Sequence, residues 1–198
     1  MTREVVIPRW LPTLFLAVSV FASSEFKGQT TGHGSLDALT RPRDGRIVDY
    51  SSYDPKFNND DFRPVAPGET ITLLDHRGAG IVRRWWLTIA PLNNHEIQRQ
   101  LIIRCYWDDE TTPSVEVTVS DFFGVGFGEW TQYISAPLNM TSGGYNTYWS
   151  MPFRRHARIT VENRASIAVE RLYYNIAVEA HDRLPDSLLY FHADTRVT

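Results

Sequence analysis

The sequence predicts an all-β protein, an antiparallel β-sandwich of the jelly-roll type. Aromatic residues make up 13% of the 198 residues, with six tryptophans, and half-buried sheet surfaces accommodate such side chains well. Short apolar runs recur from Val65 onward between turn residues, a pattern typical of a sandwich or barrel. Because no strand pattern alternates with a long helical one, a parallel α/β fold is not expected.

Alternation inside these runs indicates strands with one buried face. Val115, Val117 and Val119 point to one side of their run and polar residues to the other, as in an antiparallel sheet with one wet face. Residues 157–162 and 171–180 repeat the pattern. We therefore predict strands at Glu69–Leu74, Ile81–Ile89, Gln100–Trp107, Ser114–Val119, Gln132–Ile134, Tyr148–Phe153, Ala157–Glu162 and Arg171–Ala180, with a further short one at Leu188–Phe191.

Residues 1–22 have the layout of a secretory signal peptide. Arg3 and Arg9 precede an apolar run of about 13 residues that ends in small side chains at Ala22 to Ser24. This run is shorter than the roughly 20 residues that a membrane-spanning helix needs, and a buried helix or membrane anchor is the alternative. We expect cleavage after Ala22 or Ser24, a secreted or periplasmic location, and no membrane contact afterwards.

The remaining chain divides into two parts. Residues 23–64 are predicted to be a polar linker and irregular arm, including irregular structure from Arg41 to Asp61, and residues 65–198 the sandwich. Cys105 is the only cysteine, so no internal disulfide forms. In a strand it shares a face with Leu101, Ile103 and Trp107, which favours a buried thiol over a reactive one.

The charge pattern excludes several partners and cofactors. A net charge of −3 without a basic cluster argues against nucleic acid. The six histidines lack close ligand spacing, so no metal is predicted; calcium bound near Asp54, Asn58, Asp60 and Asp61 is the alternative. We expect no cofactor, since the glycines of residues 124–128 lack the lysine and the strand-to-helix context of a nucleotide loop.

Seven segments in the same order resemble glycoside hydrolase family 172, formerly a bacterial domain of unknown function. The segments are Ser51-Ser-Tyr-Asp-Pro55 with Asn58-Asn-Asp60, Gly78-Ala-Gly-Ile-Val-Arg-Arg-Trp85, the hairpin from Leu101 to Val119, Asp121-Phe-Phe-Gly124, Asn146-Thr-Tyr-Trp-Ser-Met-Pro-Phe153, Ala157-Arg-Ile-Thr-Val-Glu-Asn163 and Tyr190-Phe-His-Ala193. Each segment alone is weak. Together they span about residues 51–193 and resemble the N-terminal jelly-roll half of that family, which implies that the chain is one lobe of a double jelly roll.

The resemblance implies an extracellular or periplasmic protein that acts on furanosides such as arabinofuranosides or fructofuranosides. It also implies a homo-oligomer, or a second jelly-roll lobe as partner. The family's Gly-Glu-Gly-Asp and Gly-Thr-Glu-Asp-Tyr segments, which supply its catalytic carboxylates, are absent from this sequence. No catalytic residue is therefore assigned. We expect the substrate-recognition lobe of a truncated family member that is inactive alone.

Aromatic loops with polar neighbours predict a platform for sugars. Rings pack against the C–H faces of a sugar, while Asp and Asn side chains hold its hydroxyl groups. The predicted substrate-binding residues are Asp121, Phe122, Phe123, Trp130, Asn146, Tyr148 and Trp149. The alternative for these rings is packing in the core or against a missing lobe. For Trp85, Trp86 and Trp107, all inside strands, core packing is expected for at least two.

Two other functions stay open. The chain is alternatively a stand-alone, non-catalytic carbohydrate-binding or structural jelly roll, or a hydrolase that uses Asp121 and Glu129 as replacement acids. Hydrolysis of a glycosidic bond needs two carboxyl groups roughly 5–9.5 Å apart. The adjacent acids Asp108, Asp109 and Glu110 lie in a hairpin loop, which indicates a solvated turn, and Asp121 is expected to orient a ligand or stabilise a turn.

Overall fold

The computed structural model describes residues 42–195, in which two β-sheets face each other across one apolar core. The strands are β1 (Arg46–Ser51), β2 (Arg63–Val65), β3 (Thr70–Arg77), β4 (Ala79–Ala90), β5 (Leu101–Trp107), β6 (Val115–Thr118), β7 (Tyr133–Ile134), β8 (Leu138–Thr141), β9 (Gly144–Thr147), β10 (Met151–Phe153), β11 (His156–Asn163), β12 (Val169–His181) and β13 (Ala193–Asp194). Two short helices, α1 (His95–Gln100) and α2 (Val119–Phe122), follow β4 and β6.

The larger sheet has eight strands and the smaller one has five. In the larger sheet the order is β1-β12-β4-β9-β8-β7, with β2 beside β12 and β10 beside β4. In the smaller sheet the order is β13-β6-β5-β11-β3. All pairs are antiparallel except β13 with β6, which run parallel. The predicted fold class, an all-β jelly-roll sandwich, is confirmed.

The side chains that fill the space between the sheets come from the alternating positions of the long strands. Trp85 and Leu87 of β4 are fully buried, as are Trp107 of β5 and Cys105 beside it. Trp86, between the two buried residues of β4, points outward and is half-buried. The prediction that at least two of the three strand tryptophans lie in the core is confirmed, and so is the buried thiol. Burial raises the pKa of Cys105 strongly, which keeps the thiol unreactive.

A β-bulge in β4 changes which residues face the core. Along the pairing with β12, Ala177 lies opposite Arg84 and Val178 lies opposite Val82, so Arg83 is an extra residue. Trp85 and Val82 consequently both face the core although they are three residues apart. Beyond the bulge, Ile81 points to the other side of the sheet, into a separate small apolar cluster with Leu184.

Most predicted strands are present, with boundaries shifted by a few residues. The prediction of irregular structure across Arg41 to Asp61 is wrong for β1, which pairs with β12 along its whole length. Backbone pairing does not require apolar side chains, and an edge strand exposes polar ones. The strands β8 and β9, on either side of the turn at Ser142 and Gly143, were also not predicted. The short strand predicted at Leu188–Phe191 does not form. This part of the chain pairs with β6 only at Ala193 and Asp194, in β13.

The two helices begin at polar N-cap residues, which the alternation typical of strands does not reveal. The Asn94 side chain accepts a hydrogen bond from the Ile97 N–H at 3.0 Å, which starts α1. The Thr118 hydroxyl accepts one from the Asp121 N–H at 3.1 Å, which starts α2. Both interactions satisfy N–H groups that a helix leaves unpaired at its first turn. These helices close the same end of the sandwich, where the predicted sugar-binding loop begins.

The predicted signal peptide and the linker up to residue 41 lie outside the described residues. Within residues 42–195 no helix has the length and apolarity needed to span a bilayer.

Gly80 tests how tightly the sandwich is packed. A Cβ atom at this position would lie 2.7 Å from the Phe153 ring and 3.2 Å from the Glu179 carbonyl oxygen. We expect Gly80→Ala to lower the free energy of unfolding by about 1–3 kcal/mol through overpacking. Gly126→Ala is the matched control, because its Cβ would make only an ordinary contact with Asp121 at 3.5 Å. Urea denaturation measures both; equal losses would contradict the packing described.

Candidate carbohydrate-binding site

The C-terminal residues 188–195 cross one end of the sandwich and form a wall of the candidate site. The Trp107 indole N–H donates to the Phe191 carbonyl oxygen at 2.8 Å. The Ala193 N–H donates to the Ser114 carbonyl oxygen at 3.2 Å, which starts the parallel pairing of β13 with β6. The segment is therefore fixed to the smaller sheet by backbone and side-chain hydrogen bonds.

Asp108 holds the start of this segment. Its Oδ1 accepts hydrogen bonds from the backbone N–H groups of Arg154, Arg155 and His156 at 2.9, 2.6 and 3.2 Å, and its Oδ2 accepts one from the Tyr190 hydroxyl. Burial alone would raise the pKa of Asp108, but these hydrogen bonds outweigh it and hold the pKa below its usual value. The prediction of a merely solvated turn is wrong for Asp108, because the carboxylate is the anchor of two loops.

Asp121 holds the end of the segment. Its carboxylate accepts a hydrogen bond from the Thr195 hydroxyl at 3.1 Å and forms an ion pair with Arg99 at 2.6 Å. Arg99 also donates to the Gly126 carbonyl oxygen at 2.8 Å, so one guanidinium connects α1, α2 and the glycine-rich loop. A cavity of about 300 Å³ lies beside the Asp121–Arg99 ion pair. It is lined in part by Arg99, Thr118, Arg164 and Thr195. Asp121 thus stabilises the turn, one of the two roles expected for it.

A continuous series of tilted and edge-to-face aromatic contacts leads from the surface into the core. The Trp149 ring lies 5.7 Å from that of Phe191, which lies 6.4 Å from Phe122. Phe122 in turn contacts Phe123 at 5.0 Å and Trp85 at 5.4 Å. The accessible part of this aromatic series is its outer end, where 39% of Trp149 is exposed.

Phe122 and Phe123 are core residues, and the prediction that they form a sugar platform is corrected. They are 6% and 0% exposed, so neither offers a ring face to a ligand. The cause is α2, which begins directly after β6 and turns both rings inward. The alternative of core packing holds for these two rings.

The structure separates the other predicted site residues. Tyr148 is half-buried beside Trp149. Trp130 is half-buried against the core, and its indole nitrogen is buried without a hydrogen-bond partner among the described residues. Asn146 lies on the outer face of the larger sheet, opposite Trp86 of β4. The seven predicted residues therefore do not form one site.

Three residues of the site region were not predicted. The ring of Phe191 supports Trp149, and Tyr190 bonds to Asp108. Arg154 donates to the Leu188 carbonyl oxygen at 2.7 Å, and its guanidinium lies 4.7 Å from the centre of the Tyr190 ring. The sequence signal was the Tyr190-Phe191 pair, which contributed to the family resemblance. The contacts of these two rings with Asp108 and Trp149 could not be inferred, because the partners are far apart in the sequence.

Several of the described carboxyl groups serve as structural hydrogen-bond acceptors. All those with a shifted pKa are shifted downward, which is the opposite of what a general acid requires: Asp54, Glu96, Asp108, Asp109, Glu162 and Glu179. In the segment considered for calcium, the Asp54 carboxylate accepts from the backbone N–H groups of Lys56 and Asn58. Among residues 42–195 no group of three or more His, Cys, Asp or Glu is arranged to hold a metal.

A family model described as GH172 domain-like matches residues 56–176, more than half of the chain. The chain belongs to this family. The resemblance inferred from the seven segments is thereby confirmed, and this GH172 domain-like protein is related to glycoside hydrolases. A search of curated proteins gave no significant match.

Among solved structures, one of infectious bursal disease virus, Gx strain, is similar with a TM-score of 0.35 and 12% sequence identity. The similarity covers 70% of this chain and 33% of the viral one, so the GH172 domain-like chain spans about a third of that structure.

Asp108 makes the stability of the site region pH-dependent. A lowered folded-state pKa stabilises the protein above the unfolded value of about 3.9, and this contribution is lost as the pH falls through the folded value. We expect Asp108→Asn to lower the free energy of unfolding at pH 7 by about 1–3 kcal/mol. The difference between the unfolding free energies of wild type and variant should become smaller as the pH falls, because Asp108 is then protonated. Urea denaturation between pH 7 and acid measures it.

Glu110→Gln, in the same turn, is the matched control, since glutamine still accepts from the Ser114 hydroxyl that bonds to Glu110. A gap between wild type and Asp108→Asn that stays constant at every pH would contradict a charged role for Asp108.

Proposed function

We propose that this chain is a carbohydrate-recognition lobe for furanoside-containing glycans, and that residues 42–195 bind sugar without cleaving it. The observation that carries the proposal is the ring of Trp149, which is exposed and supported from behind by Phe191 in a member of a glycoside hydrolase-related family. A tryptophan fixed in this way offers a large apolar face at little cost in conformational entropy.

Polar groups around the ring suit the hydroxyl groups of a sugar. Ser150, next in the chain, accepts a hydrogen bond from Arg83 at 3.2 Å. Arg154 lies across the neighbouring Tyr190 ring. A stacking ring flanked by a few oriented donors and acceptors is the usual composition of a small-ligand site. The furanoside class follows from the resemblance to glycoside hydrolase family 172.

The expectation that the chain does not hydrolyse sugars is supported by the contacts of two acids, Asp121 and Asp108. Asp121 is bound to Arg99 and Thr195, and Asp108 accepts four hydrogen bonds from the protein. Neither carboxylate is free to act as a nucleophile or as a proton donor at a glycosidic bond. A secreted or periplasmic location, and assembly with further copies or a second jelly-roll lobe, belong to the same proposal and rest on the sequence.

Replacing the exposed ring tests the binding site. We expect Trp149→Ala to weaken binding of arabinofuranosyl or inulin-type oligosaccharides about tenfold, because one stacking contact is lost. Phe127→Ala is the matched control, since Phe127 is a 92% exposed ring that is not part of the aromatic series ending at Trp149. Isothermal titration calorimetry measures both. If Trp149→Ala binds as well as wild type, the recognition site is elsewhere or the chain is a structural jelly roll.

Hydrolysis is tested separately with nitrophenyl arabinofuranoside and fructofuranosides. We expect no turnover above background by the purified chain. Turnover that disappears in Asp121→Asn and in Glu129→Gln would favour a hydrolase with replacement acids and would overturn the non-catalytic proposal. Thermal denaturation of both variants separates loss of an acid from loss of the fold.

A further inference from the structure

The outer face of the larger sheet carries a row of uncharged polar side chains centred on one tryptophan. In antiparallel pairs, residues directly opposite each other point to the same face. The register places Ser51 of β1 opposite Asn175 of β12, Asn175 opposite Trp86 of β4, Trp86 opposite Asn146 of β9, and Asn146 opposite Asn139 of β8. Their neighbours along the strands, such as Trp85 and Tyr145, are buried in the core, so the row faces outward.

Four of these side chains have hydrogen-bonding capacity that the protein does not use. Within residues 42–195, neither the amide groups of Asn139, Asn146 and Asn175 nor the indole N–H of Trp86 has a side-chain hydrogen-bond partner. Asn146 is only 7% exposed. The amide atoms of Asn146 are nevertheless not among the fully buried polar atoms that lack a partner. They therefore reach the surface, where the hydroxyl groups of a ligand can bond to them.

The Trp86 ring lies across the sheet, and a glycine leaves room for it. A Cβ atom at position 144 would lie 2.7 Å from the Trp86 indole nitrogen. The ring therefore covers the start of β9 because residue 144 has no side chain. Thr88, on the same face, donates to the Gly143 carbonyl oxygen at 2.7 Å and fixes the adjoining turn. A half-buried ring between two free amides is consequently held in one place.

We propose that this row is a second carbohydrate-binding face, distinct from the Trp149 site, and that its ligand is a neutral oligosaccharide. The row has no charged member, while the next row along the strands contains Asp49 and Arg84 opposite Ala177. Amide groups donate to and accept from hydroxyl groups equally well. Five strands separated by about 4.8 Å give a row about 19 Å long, which suits a short chain of sugars. The proposal rests on carbohydrate recognition as the function.

The experiment is calorimetric titration of neutral arabinofuranosyl and inulin-type oligosaccharides into the purified chain. The variants are Trp86→Ala, Asn146→Ala, Asn175→Ala and Trp149→Ala, with Gln132→Ala as control for an exposed amide outside the row. We expect Trp86→Ala and Asn146→Ala each to weaken binding at one site about tenfold, and the Trp149→Ala protein to retain that site. Asn175→Ala, at a half-buried surface position, supplies a variant that keeps the core intact if Trp86→Ala unfolds.

Three results would overturn the proposal in different ways. If the row variants bind as wild type while Trp149→Ala loses all binding, the face is not a sugar site but the proposed function stands. If wild type binds none of these sugars, the proposed function fails together with the face. If sedimentation velocity shows self-association that Asn175→Ala removes, and sugar binding is unchanged, a second copy of the chain covers the row.

Discussion

The pairing of β4 with β12 is the interaction on which the rest of the sandwich depends. These strands match from Arg171 opposite Ala90 to His181 opposite Ala79. Every other strand of the larger sheet joins one of them or a strand already attached: β1 and β2 lie beside β12, β9 and β10 beside β4, and β8 and β7 follow β9. The register of this pair also sets which face of the sheet each of its residues occupies, and so the position of the polar row around Trp86.

Carboxylates in this protein organise loops. Asp108 gathers three consecutive N–H groups and a tyrosine hydroxyl, and Asp121 joins two helices to residues 188–195 through Arg99 and Thr195. These residues fix the wall against which the Trp149 ring is placed. We therefore expect the stability of this wall and the ability to bind sugar to be coupled.

The sequence predicted strands well where every second side chain along the strand lies in the same environment. The alternation of 157–162 and 171–180 predicted β11 and β12 because every second side chain meets the same core. It failed for β1 and β9, whose pairing partners supply backbone hydrogen bonds to polar segments. It also failed to separate Trp149 from Phe122 and Phe123, because all three lie near glycines in aromatic loops. Their exposure depends on α2 and on Phe191, contacts that distant parts of the chain create.

The bulge at Arg83 has a consequence for how the chain tolerates change over evolution. Trp85 and Trp86 are neighbours that serve opposite faces, and the single extra residue at Arg83 keeps Val82 and Trp85 on the same side. A substitution in β4 changes one side chain and leaves the two faces of the strand in place. A deletion at the bulge would exchange the two faces on one side of it, placing a polar row in the core. Length variation among relatives is thus expected in the loops that join strands, while β4 keeps its number of residues.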